Sequence, residues 1–217
     1  AAPALSLNCR AAILIEQDSG RVLYEKNAEE KMPIASITKV MTLLLTFEAI
    51  HDGRLTLDTL VPVSEHAYHM GGSQIWLEPG EQFTLDEMLR AICVSSANDA
   101  AVAVAELVGG SEPAFVEQMN ARAAQLGMEQ TTFRNACGLD TEGHLSTARA
   151  RQHQQAAQAV QRHHRAQDRH HQRGRGLHLG QRHPGWAQAH RRYFGGTQQR
   201  RPLQRRHDAS GLRFWGL

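Results

Sequence analysis

The chain has 217 residues, room for one domain or for one domain with an appendage. Its formal charge of +2 conceals two opposite parts: residues 1–150 carry 3 Lys, 7 Arg and 20 acidic residues, net −10, whereas residues 151–217 carry 14 Arg, no Lys and 2 Asp, net +12. No run of about 18 apolar residues exists, since even Ile34 to Ile50 is broken by Ser36, Thr38, Lys39, Thr42, Thr46 and Glu48, which excludes a membrane-spanning helix. The three cysteines, Cys9, Cys93 and Cys137, are odd in number and lack C-x-x-C spacing, so neither a disulfide framework nor a zinc knuckle is expected.

The opening AAPALSLNC has no basic or strongly apolar leader character, and Ala1-Ala2 suits the mature end left when a signal peptide is removed. Two short apolar runs, Ala11 to Glu16 and Arg21 to Glu25, flank the turn formers Asp18-Ser19-Gly20 and predict a β-hairpin. After Pro33, IASITKVMTLLLTFEAI is apolar on most faces and predicts a buried helix ending near Asp52-Gly53. Lys39 is its one interior charge before Glu48 and must be strained, paired or used. Residues 53–83 alternate short apolar runs with Gly and Pro and read as loops with small strands.

Thr84 and Glu87 form a capping-box pattern at the head of a second helix, LDEMLRAICV. A third helix is expected from about Asn98 to Gly109-Gly110. A fourth is capped by Ser111, tolerates Pro113 in its first turn and closes at Gly127. TTFRNACGLD follows as an extended piece and a turn. Residues 1–150 thus predict a helix-rich core with an N-terminal hairpin. In the remaining 67 residues His, Arg and Gln number 35, and Val160 is the sole β-branched aliphatic, a composition that predicts a solvated, disordered tail.

Ser36 and Lys39 stand at i and i+3 at the start of the apolar helix, which puts both side chains on one face. Burial penalises a charged amine, and a neutral lysine within reach of a serine hydroxyl can take its proton, making the serine a nucleophile. The plain alternative is that Ser36 caps the helix and Lys39 extends to solvent, because S-x-x-K arises by chance roughly once in a few hundred residues. About 60 residues on, Ser96-Ala97-Asn98 stands between two predicted helices, where a helix N-cap is the ordinary use of Ser or Asn. S-x-x-K followed by S-x-N is two thirds of a signature that also includes K-T-G.

The contexts PIASITKVMT, EPGEQFTLDEML, SSANDAAVAVAE and MNARAAQLGMEQTTFRNACGLDTEGHLST extend the likeness over about residues 11–147, and the chain there resembles the D-alanyl-D-alanine carboxypeptidases, the low-molecular-mass penicillin-binding proteins of serine peptidase family S11. The resemblance implies a mixed α/β (α+β) fold of the β-lactamase/transpeptidase type, a helical cluster on an antiparallel sheet, of which the sequence shows only the N-terminal hairpin. It implies that Ser36 forms the acyl-enzyme, Lys39 activates it, Ser96 completes the proton relay and Asn98 grips the substrate. Backbone N–H groups, that of Ser36 among them, would form the oxyanion hole. The partners implied are a peptidoglycan stem peptide ending in D-Ala-D-Ala and β-lactams as covalent inhibitors. The setting implied is extracytoplasmic, and no metal or organic cofactor is required.

The third motif is missing. Lys26, Lys31 and Lys39 are the only lysines, so K-T-G cannot lie downstream. Family-like text to Thr147 followed by arginine, histidine and glutamine is the pattern of a reading-frame change near Ala148 to Gln152, and activity is expected to suffer. A β-lactamase is the nearest alternative, disfavoured because no E-x-x-x-N follows the S-x-N. The other alternative is an inactive core whose +12 tail binds polyanions without specificity. His163-His164 and His170-His171 sit among arginines that repel a cation, and no specific metal site is expected. His51, His66, His69 and His144 have no partner motif, with His66 and His69 expected at the surface. Cys93 is expected to pack inside its helix and Cys137 in a turn.

Overall fold

A computed structural model describes residues 6–16 and 19–150. The expected disordered tail, its histidine pairs and its polyanion binding concern residues 151–217 and lie outside the described residues, as do Arg151 and Gln152 of the segment proposed for a frame change.

The hairpin forms as β1 (Ala12–Ile15) and β2 (Val22–Lys26), antiparallel with Ala12 opposite Lys26 and Leu14 opposite Tyr24, and with a register shift between Leu14 and Ile15. Ala11, with Ile13 partly buried beside it, packs with Ala28, Met32 and Ala148 in a small apolar cluster. The chain then passes Met32, whose N–H and C=O bond reciprocally with Ser146 at 2.9 and 3.0 Å. The end of the described chain is thereby laid alongside the segment that enters the first long helix. Its N-terminal turn is a 3-10 turn, Ala35–Thr38, leading into α1 (Lys39–His51). Gly53, at φ 73°, turns the chain away after it.

β3 (Leu60–Pro62) and β4 (Gln82–Thr84) pair antiparallel, with Val61 opposite Phe83. Between them lies α2 (Glu65–Tyr68), a single turn capped by Ser64 Oγ, which accepts from the Ala67 N–H at 3.0 Å. Four residues are too few to show a helical period, and the sequence did not reveal this turn. The capping box forms as expected at the head of α3 (Leu85–Ser95), Thr84 and Glu87 bonding each other's backbone N–H groups. α4 (Asn98–Gly109) ends at Gly110, φ 82°, and α5 (Glu112–Gln125) is capped by Ser111 with Pro113 in its first turn.

α4 is the axis of the core. Ala100 to Ala105 are all at or below 1% exposure, and the helix packs on α1, α2, α3 and α5. Its run of Ala and Val has little side-chain bulk, which lets four helices close on it. On one side Val61, Leu77, Leu85, Met88 and Val102 form the larger cluster; on the other Met41, Leu44, Phe115, Met119 and Phe133 gather around Ala105. Complete burial of a side chain such as Phe115 is worth about 1.5–3 kcal/mol.

One ordinary alternative is not realised and one local expectation changes. Ser96 is not an N-cap: it is the C-cap of α3, in the left-handed region at φ 54°, ψ 36°, and the N-cap of α4 is Ala97, which has no side chain to cap with. Cys93 does not pack inside; it falls on the outer side of α3 and is exposed, whereas Cys137 is buried in its turn as expected. No described helix is long and apolar enough to cross a membrane.

Candidate active site

The site is assembled where the head of α1, the α3–α4 junction and the turn at residues 135–139 meet. Lys39, 3% exposed, places Nζ 2.7 Å from Asn98 Oδ1, 2.7 Å from the Cys137 carbonyl oxygen and 3.2 Å from Ser36 Oγ. Ser36 itself is exposed, and no side-chain cap bond forms at the head of the 3-10 turn or of α1. Neither half of the plain alternative therefore describes these residues: the serine caps nothing and the lysine does not reach solvent.

These three contacts fix what the amine can do. An ammonium has three N–H donors and meets three acceptors; a neutral amine has two N–H donors and one lone pair. With two N–H groups held by Asn98 and Cys137, the lone pair of the neutral form faces Ser36 Oγ, so a proton can pass between them without either side chain moving. Desolvation holds the Lys39 amine below the usual lysine range, opposed by the neighbouring Cys137 and the Asp99 carboxylate.

Asn98 has a second task. Its Nδ2 donates to the Gly71 carbonyl at 2.7 Å, and its backbone N–H donates to Ser73 O at 2.7 Å. A Cβ at Gly72 would lie 2.7 Å from that Nδ2, so the loop approaches Asn98 as closely as backbone allows. Asp99, 1% exposed and without any sequence motif to mark it, holds the rest of the loop. Its carboxylate accepts from Ile75 N at 3.1 Å, Leu77 N at 3.2 Å and Ala100 N at 2.9 Å. Burial nevertheless raises its pKa above the ordinary aspartate range, the backbone donors countering in part.

The turn that presents the Cys137 carbonyl is equally determined. Asn135 Oδ1 accepts from the N–H groups of Cys137, Gly138 and Leu139 at 3.3, 2.6 and 3.1 Å. Thr42 Oγ1 donates to Ala136 O at 2.6 Å, and Glu112 Oε1 accepts from Ala136 N at 2.9 Å while its Oε2 lies 2.6 Å from His66 Nε2. Gly138, at φ 89°, crosses so close to the turn that carries Ser36 that a Cβ there would lie 1.9 Å from Ala35 O. Ala35 has φ 44°, a conformation costly for a non-glycine residue, immediately before Ser36. Burial raises the Cys137 thiol pKa.

Of the four residues singled out in the sequence, Ser36, Lys39 and Asn98 are joined by hydrogen bonds. Ser96 sits two residues before Asn98 in its left-handed conformation, and its hydroxyl bonds to none of the described residues. His66 and His69 are exposed, as expected. Sequence reasoning missed Asp99, Asn135, Gly138 and His144. The left-handed glycine and the Asn two to four residues before its N–H partners are turn signals that could have found the 135–139 turn.

A helical cluster with antiparallel strands and a Ser–Lys pair at the head of a buried helix defines the class: penicillin-binding proteins of the β-lactamase/transpeptidase fold. Solved structures bear this out. The D-alanyl-D-alanine carboxypeptidase DacD of Francisella tularensis matches with a TM-score of 0.67 and 33% identity, over 72% of this chain and 37% of that one. Penicillin-binding protein D2 of Listeria monocytogenes in its cefotaxime-bound form matches with a TM-score of 0.64 and 31% identity, over 74% and 65%. The sequence model of the D-alanyl-D-alanine carboxypeptidase family matches residues 1–171. Carboxypeptidase DacF of Bacillus subtilis is 51% identical over 144 residues, 66% of this chain and 37% of DacF, and DacC of Escherichia coli is 38% identical over 150 residues, 66% and 38%. The chain belongs to the D-alanyl-D-alanine carboxypeptidase family, peptidase family S11. It spans a little over a third of the length of these curated relatives.

Proposed function

We propose that this chain carries the nucleophile-bearing part of a serine-type D-Ala-D-Ala carboxypeptidase acting on peptidoglycan stem peptides in the extracytoplasmic envelope. The observation that carries the reading is the amine of Lys39, buried, committed to Asn98 Oδ1 and Cys137 O, and left with its third valence toward Ser36 Oγ. Neutral Lys39 takes the Ser36 proton as Oγ attacks the carbonyl carbon of the penultimate D-Ala. The C–N bond breaks, the terminal D-Ala leaves as the amine with a proton returned to it, and water later hydrolyses the ester on Ser36. Ser96, half-buried at the α3–α4 junction, is assigned the proton relay to the leaving amine. Asn98 is assigned a grip on the peptide amide through its side chain, which is already held between Lys39 and Gly71. β-Lactams enter the same reaction as acylating inhibitors, and no metal or organic cofactor takes part.

No lysine follows Lys39, so the K-T-G lysine that would bind the substrate carboxylate is absent from this chain. Acylation is therefore expected to be slow. Intact-mass measurement after incubation with a β-lactam tests the reading: an adduct of the β-lactam's mass that disappears in Ser36→Ala supports it, and an unmodified, folded native chain overturns it.

A further inference from the structure

His144 is a buried imidazole for which the acyl-transfer scheme has no use. It is 4% exposed, it lies on the stretch that follows Cys137-Gly138, and its Nε2 is 2.6 Å from Thr38 Oγ1. Thr38 is fully buried, two residues after Ser36 and one before Lys39. Its hydroxyl caps no helix N–H. The other ring nitrogen, Nδ1, accepts from the Arg134 backbone N–H at 3.1 Å. A nitrogen that accepts carries no proton, so the proton of the neutral ring is on Nε2, where it is donated to Thr38. The Phe133 ring meets the imidazole edge-on at 5.9 Å and closes that side to water.

We infer that His144 is a positioning residue for the nucleophile: by donating Nε2–H to Thr38 Oγ1 it fixes the 3-10 turn that presents Ser36 Oγ to Lys39 Nζ. The turn is gripped at both ends by one returning segment, Gly138 seated on Ala35 O at its start and His144 bonded to Thr38 at its end. Ser36 stands between the two grips. The inference rests on Ser36 and Lys39 acting as nucleophile and base.

Protonation would undo the bond pattern, because an imidazolium cannot accept from the Arg134 N–H. Of the titratable groups near the ring, Arg134 opposes that protonation. Arg134 lies on the preceding stretch, and Lys39 follows Thr38 on α1 with its amine turned to Asn98 and Cys137; Asp140 and Glu142 on the ring's own turn are exposed. Desolvation, aided by Arg134, keeps His144 below the ordinary histidine pKa. The grip thus holds at neutral pH and loosens in acid.

Three variants of the full chain test this. His144→Phe keeps a ring and removes the donor, Thr38→Val keeps the volume and removes the acceptor, and His144→Gln supplies an amide N–H that does not titrate. Two readings are taken: amide hydrogen exchange at residues 35–39 against that of α4, and the acylation rate by a fluorescent penicillin between about pH 5 and 8. H144F and T38V should each speed exchange at residues 35–39 about tenfold with α4 unchanged and slow acylation about tenfold, and the double variant should be no worse than either, as for residues sharing one bond. H144Q should keep near-native exchange and rate at neutral pH and lose the native rise toward acid in exchange at residues 35–39 relative to α4, while the part of the fall in rate that comes from protonating Lys39 remains. Native exchange at residues 35–39 in both H144F and T38V overturns the inference, as do additive effects in the double variant. A native chain that takes no penicillin overturns the reading of Ser36 instead, and the exchange measurement still decides the role of His144.

Discussion

Replacing Gly138 by alanine is the sharpest test of how the turn that carries Ser36 is built. The added Cβ would stand 1.9 Å from Ala35 O, 2.4 Å from Ala35 C and 3.0 Å from Ser36 N, all backbone atoms that cannot swing aside as a side chain can. Restoring ordinary contact requires the two backbones to part by more than about 1 Å, in a core packed at crystal-like density. At φ 89° the alanine also carries the left-handed penalty of about 1–2 kcal/mol. Overpacking adds about 1–3 kcal/mol, so the expected loss is about 2–5 kcal/mol. The turn that shifts also holds the Cys137 carbonyl against Lys39, and an error of about 1 Å in a reacting pair costs on the order of 100-fold in rate. Urea unfolding of the G138A chain reads the first quantity: with a slope of about 1–3 kcal/mol per M, the midpoint should fall by about 1 M or more. Stopped acylation reads the second. A midpoint within about 0.2 M of native would refute the claim that these backbones are in contact.

Asp99→Ala removes the acceptor of three backbone N–H groups, two of them in the 73–77 loop; a loss of about 3 kcal/mol is expected, with new protease cleavage between Gly71 and Leu77, and native resistance would contradict it. Thr84→Ala breaks the α3 capping box far from the reacting atoms, so it should cost about 1 kcal/mol in unfolding free energy and leave the acylation rate unaltered. For His144 the folded pKa is depressed below the unfolded value, so in the window between them the unfolded chain binds more protons. The stabilisation is present above the unfolded pKa near 6.5 and is lost as pH falls through the folded value. The difference in unfolding free energy between native and H144Q should therefore shrink in that window, and a constant difference would dismiss the linkage. Removing residues 151–217 changes the charge from +2 to −10; the full chain should be held on heparin at low salt and the truncated chain should pass through, whereas equal retention would rule out the tail as the polyanion contact.

Features written by near neighbours were legible. The pairing of the hairpin strands, the Thr84–Glu87 box, Ser111 with Pro113, and the Ser36–Lys39 spacing each need only a few nearby residues, and each formed. Composition around Ser96 was misleading for the same reason. Serine between two helices reads as an N-cap, but α4 begins two residues later with Asn98 turned toward Lys39, leaving Ser96 to end α3 in a left-handed conformation. Cys93 shows the limit of apolar counting on one helix, whose outward face is decided by what packs on it.

Sequence by itself determined the family, the helices that build the core and the candidacy of Ser36, Lys39, Ser96 and Asn98, because family text and helical period are properties of the chain. Tertiary structure alone decided what the lysine faces. Its partners Asn98 and Cys137 lie 59 and 98 residues away, and one of them is a backbone carbonyl, which every residue possesses and no motif can mark. Thr38 and His144, 106 residues apart, are matched by the same return of the chain past Met32 and Ser146. A buried polar atom takes whichever partner packing brings to it, since leaving it unpaired costs about 1–3 kcal/mol, and packing is a property of the folded chain.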